Sequence, residues 1–163
     1  MGTIRLRPFS AGHAEVVAGW PRSAGDARGW GGRATPWPVA PSVLRAWHED
    51  QSVHPWVLIE SQAPVAYGEI WVDTVEREVE IGRVIVDPQA RGRGLGRLLV
   101  TLLLEKAAQT GLPVAFVRVE PGNMAALACY RHAGLEPVTV DERRRFNAGQ
   151  PVEYEWLRHD LRV

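Results

Sequence analysis

The sequence predicts a domain of mixed α/β class, in which strands and helices alternate around one core. The chain has 163 residues, a length that suits one domain with a buried core. Alternation typical of strands and apolar spacing typical of helices follow one another along the chain, without a repeat or a linker. A glycine-rich turn at residues 91–96 joins one strand to a strongly apolar helix. We therefore expect a single domain over residues 1–163.

The first half of the chain predicts four strands and two helices. Residues 3–9 alternate between apolar and basic side chains and are expected to form the first strand. Ser10 is placed to cap a helix that runs to Trp20 and is ended by Pro21. Residues 23–41 are rich in Gly, Pro and Trp, and we expect a loop or broken helix there, followed by a short helix at 42–47. Three consecutive strands are expected at residues 56–59, 64–73 and 78–86.

The second half predicts two longer helices and the remaining strands. An apolar helix is expected from Leu98 to Thr110, because Gly111 and Pro113 follow it. A strand at residues 114–119 leads to a second helix that begins after Pro121 and ends at Gly134. The last strands are expected at residues 138–140 and 152–157, with an arginine-rich turn at residues 143–145 between them.

Composition and charge exclude several classes of function. The chain carries 19 basic and 19 acidic side chains, which argues against a nucleic-acid partner bound by a bulk positive field. The single cysteine, Cys129, allows no intrachain disulfide or multi-cysteine metal site, and we expect it to be a small buried hydrophobe. No apolar stretch reaches the ~20 residues that span a bilayer, and the N-terminal residues do not form a signal peptide. We expect no bound metal, no nucleic-acid or membrane partner, and a cytoplasmic location.

The glycine-rich turn predicts a site for a phosphate group. A strand ends at Asp87-Pro88, and glycines at alternate positions then lead into the apolar helix. The first turn of a helix presents unpaired N–H groups and a partial positive charge, and glycines let a ligand approach the backbone. The spacing fits neither the P-loop nor the dinucleotide fingerprint. A turn with solvated arginines and no ligand is the alternative.

Two coupled motifs resemble those of the GNAT-type N-acetyltransferases. Arg91-x-x-Gly94-x-Gly96 is similar to the loop that holds the pyrophosphate of acyl-CoA in that family. Asn123-x-x-Ala126-x-x-x-Tyr130-x-x-x-Gly134-Leu135 resembles the family's second element, with Leu135 where Phe is usual. The likeness extends over about residues 64–140. It implies a mixed, mostly antiparallel sheet of about six to seven strands with a V-shaped splay, flanked by about four helices.

The resemblance also implies acetyl-CoA as the cofactor and assigns residues to it. The backbone of Val84, Ile85 and Val86 would pair with the pantetheine arm, and an N–H near Val86 would polarise the thioester carbonyl. The loop residues would hold the pyrophosphate: Arg91, Gly92, Arg93, Gly94, Leu95, Gly96 and Arg97. Asn123, Ala126 and Tyr130 share one helix face, on which Asn123 would bind the cofactor arm and Ala126 would leave room for it.

Two residues are expected to move protons during direct transfer to a primary amine. Tyr130 is expected to donate to the leaving thiolate, because a phenol is protonated at neutral pH. An alkyl ammonium must lose a proton before it can attack. The resemblance makes Glu80, acting through an ordered water, the first candidate for the base, because some members of the family carry a glutamate six residues before the position of Val86. Glu69 is the second candidate, and water alone remains possible. Arg118 stands where some members of the family carry a glutamate.

The acceptor is expected to be a cationic small-molecule or peptide amine. Five of the seven tryptophans precede residue 57, and the part of the chain up to Gly82 has more acidic than basic residues. Because aromatic faces and carboxylates attract cations, we expect Glu69, Trp30, Trp37 and Trp71 to contact the acceptor. The alternative is that most of these indoles are core anchors. A non-catalytic acetyl-CoA sensor and a different nucleotide-binding α/β protein are the other functions considered, and the chain is expected to be a monomer or homodimer.

Overall fold

One seven-stranded sheet organises the protein. The computed structural model describes residues 2–162. The strands lie in the order β1-β2-β3-β4-β5-β7-β6. Neighbouring strands are antiparallel except β4 and β5, which are parallel. Their bounds are β1 Ile4–Pro8, β2 Val53–Glu60, β3 Ala63–Asp73, β4 Glu78–Val86, β5 Val114–Val119, β6 Glu136–Pro137 and β7 Glu155–Asp160.

Helices cover both faces of this sheet. One hydrophobic cluster joins Leu58, Ala66 and Ile70 of the sheet to the buried face of α4, and a second joins Val57, Tyr67 and Ile85 to α1, α2 and α3. Neighbouring strand residues enter opposite clusters because successive side chains of a strand point to opposite faces. The bounds of the helices are α1 Ala14–Ala18, α2 Ala24–Gly31, α3 Pro41–Trp47, α4 Leu95–Ala108, α5 Met124–His132 and α6 Val140–Asn147.

The sheet opens between β4 and β5. The two strands pair only at Val79 with Ala115 and at Glu80 with Phe116, near the start of each strand. Beyond Glu80 they diverge, and the antiparallel strand β7 covers the other side of β5. The expected V-shaped splay is therefore confirmed, and the C-terminal parts of β4 and β5 form its two walls.

A β-bulge shapes the β4 wall of the splay. Tyr67 pairs with Ile85 and Glu69 with Gly82, so Gly68 alone faces two residues of β4, Arg83 and Val84. Arg83 has a φ of 48°, in the left-handed region that costs a non-glycine residue about 1–2 kcal/mol. The packing is tight here, because a Cβ on Gly68 would lie 2.8 Å from Leu103 Cδ1 of α4.

Three expectations from the sequence were wrong or incomplete. Residues 140–147 form α6 rather than a strand and an arginine-rich turn. Thr139 caps this helix by accepting a hydrogen bond from the Glu142 N–H at 3.1 Å, and the Glu142 side chain accepts from the Thr139 N–H. The last strand covers residues 155–160 instead of 152–157. Residues 23–41, for which a loop or broken helix was expected, contain α2, which Ser23 caps.

No helix within residues 2–162 has both the length and the apolar character needed to cross a bilayer.

Candidate functional site

Two cavities meet in the splay. The first, which we call the splay cavity, measures about 230 Å³ and is lined by Trp71, Glu80, Arg83, Arg118 and Tyr154 among others. The second, which we call the turn cavity, measures about 430 Å³ and extends along Val86, Arg91 and Gly96 toward the glycine-rich turn. Both cavities share Gly29, Trp30, Val84, Glu120, Asn123, Ala126 and Tyr130 as lining residues. The sheet thus places these seven residues where two ligands could meet.

The glycine-rich turn lies directly before α4. Gly92 and Gly94 have φ values of 81° and 77°, and Gly94 is the residue that precedes the helix. The left-handed backbone leaves the first N–H groups of α4 without a side chain above them. Gly96 packs closely against α5, because a Cβ there would lie 3.3 Å from Cys129 Sγ. This geometry favours an anion such as a phosphate group.

The three arginines of the turn are not equivalent. Arg93 donates two hydrogen bonds to Glu60, from Nη1 to Oε1 at 2.9 Å and from Nη2 to Oε2 at 2.6 Å. The hydrogen bond from Arg93 lowers the pKa of the Glu60 carboxyl. Arg91 and Arg97 are exposed and have no ion-pair partner within residues 2–162. Arg93 therefore links the turn to β2 through this ion pair. Arg91 and Arg97 remain available to bind a ligand.

Asn123, Ala126 and Tyr130, which are expected to share one face of α5, all line both cavities. The Asn123 Oδ1 accepts a hydrogen bond from the Ala126 N–H at 3.2 Å and caps the helix. The Nδ2 group of Asn123 has no hydrogen-bond partner in the described part of the chain, and it remains available to a ligand. Ala126 and Tyr130 line both cavities on the same side.

Tyr130 is buried at the meeting point of the cavities. The residue is 9% exposed, and its hydroxyl has no hydrogen-bond partner among residues 2–162. Burial, and after it the charges of Cys129 and Glu80, raises the pKa of the Tyr130 hydroxyl above its usual value. The phenol is therefore protonated at neutral pH and its hydrogen is free to be donated to a ligand atom.

Glu80 faces the splay cavity in an ion pair. Arg118 donates from Nε to Glu80 Oε2 at 2.6 Å and from Nη2 to Oε1 at 2.8 Å. The Arg118 guanidinium also lies 4.7 Å from the ring centre of Trp156 and 5.6 Å from that of Tyr154. Both carboxylate oxygens of Glu80 are thus engaged, although the side chain keeps some exposure to the cavity.

Glu69 lies behind the cavity wall rather than in it. Its side chain has no solvent exposure and lines neither cavity. Oε1 accepts hydrogen bonds from Trp71 Nε1 and Arg83 Nη1, both at 2.7 Å, and Oε2 accepts one from the Tyr67 hydroxyl. Burial raises the pKa of Glu69, but the hydrogen bonds and the Arg83 charge outweigh it, so the pKa lies below its usual value. In this arrangement Glu69 does not reach an acceptor.

The surroundings of Glu69 predict a pH-dependent contribution to stability. Its folded-state pKa is lowered, so the ionised carboxylate stabilises the fold above its unfolded pKa of about 4.3, and this contribution is lost as the pH falls through the folded-state pKa. We expect Glu69→Gln to reduce the free energy of unfolding by about 3 kcal/mol at pH 7. The difference from wild type should shrink as the pH falls below about 4. Denaturant titrations at several pH values measure it.

Exposed Glu105 of α4 provides the matched control, and Glu105→Gln should have little effect at any pH. The titratable groups packed around Glu69 are His48, Tyr67 and Arg83. A Glu69→Gln difference that stayed constant from pH 7 to pH 3 would contradict the lowered pKa.

Of the three tryptophans predicted to contact the acceptor, two line a cavity and one does not. Trp30 lines both cavities, and its Nε1 donates to the Arg83 carbonyl oxygen at 2.8 Å. Trp71 lines the splay cavity beside Glu80. Trp37 is 43% exposed and lines neither cavity. Trp20 and Trp47 pack in the cluster beneath α1, α2 and α3, as the alternative of core anchors predicted.

Three residues of the site were not anticipated in these positions. Glu120 is the only carboxylate among the lining residues that both cavities share, and no ion pair within residues 2–162 engages it. Glu120 lies two residues after Arg118, so in an extended chain both side chains point to the same side, and this spacing is the sequence signal for its position. Arg118 itself was considered only as a missing glutamate. Arg83 follows Gly82, a glycine inside a strand that is a signal for a bulge, but nothing in the sequence shows that Arg83 itself is the left-handed residue.

Within residues 2–162, no group of three or more His, Cys, Asp or Glu side chains is arranged to hold a metal ion.

Comparisons with known proteins agree with this architecture. The model of the Acetyltransferase (GNAT) family matches residues 25–135. A mycothiol acetyltransferase of Gordonia bronchialis is 32% identical in an alignment of 151 positions, which covers 85% of this chain and 46% of the relative. The chain thus spans less than half the length of that protein.

Solved structures of low sequence identity share the fold. The aminoglycoside acetyltransferase AAC(6')-Ib, in complex with ribostamycin and coenzyme A, superposes with a TM-score of 0.74 at 20% identity, covering 97% of this chain and 93% of that one. The ribosomal-protein-S18-alanine N-acetyltransferase of Escherichia coli gives a TM-score of 0.69 at 18% identity, over 99% and 96% of the two chains.

Proposed function

The chain belongs to the GNAT acetyltransferase family, and from that premise we propose that it transfers an acetyl group from acetyl-CoA to a primary amine. The observation that carries the proposal is the meeting of the splay cavity and the turn cavity at Tyr130. One cavity leads to an anion cradle and the other to an opening with aromatic and charged walls. A thioester held in the first is thereby placed within reach of an amine held in the second.

The fit of acetyl-CoA is supported by the backbone of this chain. The left-handed Gly94 and the first turn of α4 suit a pyrophosphate, and Arg91 and Arg97 add positive charge. The C-terminal end of β4, Val84 to Val86, is not paired with β5. Its backbone groups on the side of the splay are therefore free to pair with an extended pantetheine arm. Asn123 and Ala126 border the same path.

The proposed chemistry is direct transfer without an acyl-enzyme. Acetyl-CoA supplies the acetyl carbon, which forms a bond to the amine nitrogen while the carbon–sulfur bond breaks. Tyr130 gives its hydroxyl proton to the departing sulfur and recovers a proton from the nitrogen of the new amide, and a backbone N–H near Val86 donates to the carbonyl oxygen. Glu80, through a water, accepts the proton that the ammonium must lose. Cys129 takes no part, since burial raises the pKa of its thiol and disfavours a thiolate.

Exchanging each of two carboxylates for an amide tests the assignment of the base. Glu80→Gln should lower kcat by about 10²-fold, because a carboxamide accepts no proton at neutral pH. Glu120→Gln should instead raise KM for the amine with kcat nearly unchanged, since Glu120 attracts the ammonium at the shared wall. Steady-state kinetics of both variants measure the split. A kcat loss confined to Glu120→Gln would transfer the role of base to Glu120, and no loss in either would assign it to solvent.

The proposed acceptor is a cationic small-molecule or peptide amine. Names of relatives and structural neighbours include mycothiol, aminoglycosides and a ribosomal protein alanine, which together support an amine without choosing among its classes. The splay cavity of about 230 Å³ admits a primary amine and its nearest substituents, and the rest of a larger acceptor extends past Trp71 and Tyr154. We further propose that the chain acts in the cytoplasm, which its lone unpaired Cys129 supports, as a monomer or homodimer.

A binding measurement and an amine panel test the proposal together. Calorimetry should show that acetyl-CoA binds while NAD and ATP do not. A panel of aminoglycosides, polyamines and peptides with free α-amino groups, followed by detection of free thiol, should show release of CoA with at least one amine. Tight binding without thiol release across the panel would instead favour a non-catalytic acetyl-CoA sensor. Binding of NAD or ATP in place of acetyl-CoA would overturn the proposal.

A further inference from the structure

Arg83 occupies a strained position in the wall of the proposed site. It is the bulged residue of β4, with a φ of 48°, at a position where glycine is the usual residue in this type of bulge. The strain persists only if the surroundings hold the residue in place.

The bulge exchanges the two faces of β4. Before it, Val79 and Ile81 enter the cluster around α4, and after it Val84 and Val86 pack against that cluster while Ile85 enters the opposite one. Odd-numbered residues thus face α4 before the bulge and even-numbered residues face it afterwards. The extra residue of the bulge also exchanges the two edges of the strand. Backbone N–H groups that would otherwise point toward β3 point into the splay, and the reverse. The conformation of residue 83 accordingly decides which N–H groups of residues 84–86 can meet a thioester.

Four contacts fix Arg83 in this conformation. Its Nη1 donates to Glu69 Oε1 at 2.7 Å. Its guanidinium carbon lies 4.1 Å from the ring centre of Trp47 and 5.1 Å from that of Trp71. Its carbonyl oxygen accepts from Trp30 Nε1 at 2.8 Å. The bulge is therefore held from α2, α3 and β3 at once, through both the side chain and the main chain.

We propose that Arg83 is a positioning residue for acetyl transfer: paired with Glu69 and stacked between Trp47 and Trp71, it holds the β4 bulge so that the strand presents its N–H groups to the thioester carbonyl. This inference rests on the proposed function. It also gives the buried Glu69 a role, because the carboxylate anchors Arg83 and does not meet the amine. Three of the chain's seven tryptophans, Trp30, Trp47 and Trp71, thus contact Arg83 and stabilise the conformation of the bulge.

Variants that separate the backbone from the side chain test the proposal. Arg83→Gly removes the anchor but adopts a left-handed φ without strain, whereas Arg83→Met removes the anchor and keeps the strain. Each is combined with Glu69→Gln, so that no buried carboxylate is left without its cation. We expect R83M/E69Q to lower kcat at least about tenfold, since loss of one donor to a developing oxyanion costs about 10²–10³-fold. R83G/E69Q should retain more activity although it removes more of the side chain.

A spectroscopic measurement distinguishes positioning from a purely structural role. Infrared difference spectra with carbonyl-labelled acetyl-CoA report how strongly the bound thioester is polarised. The carbonyl band should lie below its free value in wild type and in R83G/E69Q, and closer to its free value in R83M/E69Q. Exposed Arg45 of α3 supplies the matched control, and Arg45→Met should keep the wild-type kcat and band. Arg83→Lys keeps a cation beside Glu69, and we expect it to fall between wild type and R83M/E69Q even if a double variant does not fold.

The outcomes separate this inference from the proposed function. A glycine variant no faster than the methionine variant, a band unchanged in R83M/E69Q, or a wild-type kcat and band in Arg83→Lys would overturn the role of Arg83. Wild-type protein that shifts the band but acetylates no amine would support the positioning role and overturn only the proposed turnover. Absence of acetyl-CoA binding by wild type would overturn both.

Discussion

Replacing Tyr130 with phenylalanine is expected to lower kcat by about 10²-fold or more while the Kd for acetyl-CoA stays within about twofold. The hydroxyl lies where the two cavities meet and has no partner within residues 2–162, so its hydrogen is available to the departing sulfur. Burial keeps the pKa of Tyr130 above its usual value, which maintains the protonated form through neutral pH. Steady-state kinetics and calorimetry on the same preparation measure the two effects.

The Tyr130→Phe variant also carries its own control for folding. Because the hydroxyl makes no hydrogen bond in the described part of the chain, its removal leaves no partner unsatisfied. The phenyl ring keeps its place in the cluster around α4. We therefore expect the melting temperature to equal or slightly exceed that of wild type. An unchanged kcat would remove Tyr130 as the acid, and a weakened Kd with unchanged kcat would make it a binding residue only.

The parts of the site that the sequence predicted are those set by local spacing. The turn around Gly94 lies between a strand and a helix that each have a clear period, and the structure places it at the start of α4. Asn123 and Tyr130 lie seven residues apart on one helix, so their common face follows from helical geometry. The splay followed from the resemblance to the family, and the pairing of β4 with β5 confirms it.

The parts that were missed depend on contacts between distant residues. Glu69 and Arg83 pair across a bulge, and nothing in the local sequence indicates that an arginine adopts a left-handed φ. Alternation alone presented Glu69 as an accessible strand carboxylate, whereas Tyr67, Trp71 and Arg83 surround and bury it. The error at residues 138–147 is different, because Thr139-x-x-Glu142 is a capping box that the sequence did display. The β-branched residues at 138–140 indicate a strand, but the helix that Thr139 caps prevails.

Gly94→Val is expected to abolish measurable binding of acetyl-CoA, and Gly111→Val is expected to leave it intact. The two glycines form a matched pair on one helix: Gly94 precedes α4 with a φ of 77° and Gly111 follows it with a φ of 78°. A Cβ at either position would meet no atom within 4 Å. Valine therefore brings a similar backbone strain of about 1–2 kcal/mol to each site, and we expect similar decreases in melting temperature.

The functional difference arises from what each end of α4 presents. At Gly94 the added side chain stands over the unpaired N–H groups of the first helical turn, where a pyrophosphate would be bound. At Gly111 the helix has already ended, and its carbonyl groups offer nothing to an anion. Calorimetry with acetyl-CoA, together with thermal unfolding of both variants, gives the comparison. Equal affinities in the two variants would show that the turn is not the pyrophosphate site, because backbone strain would then be the only effect of either valine.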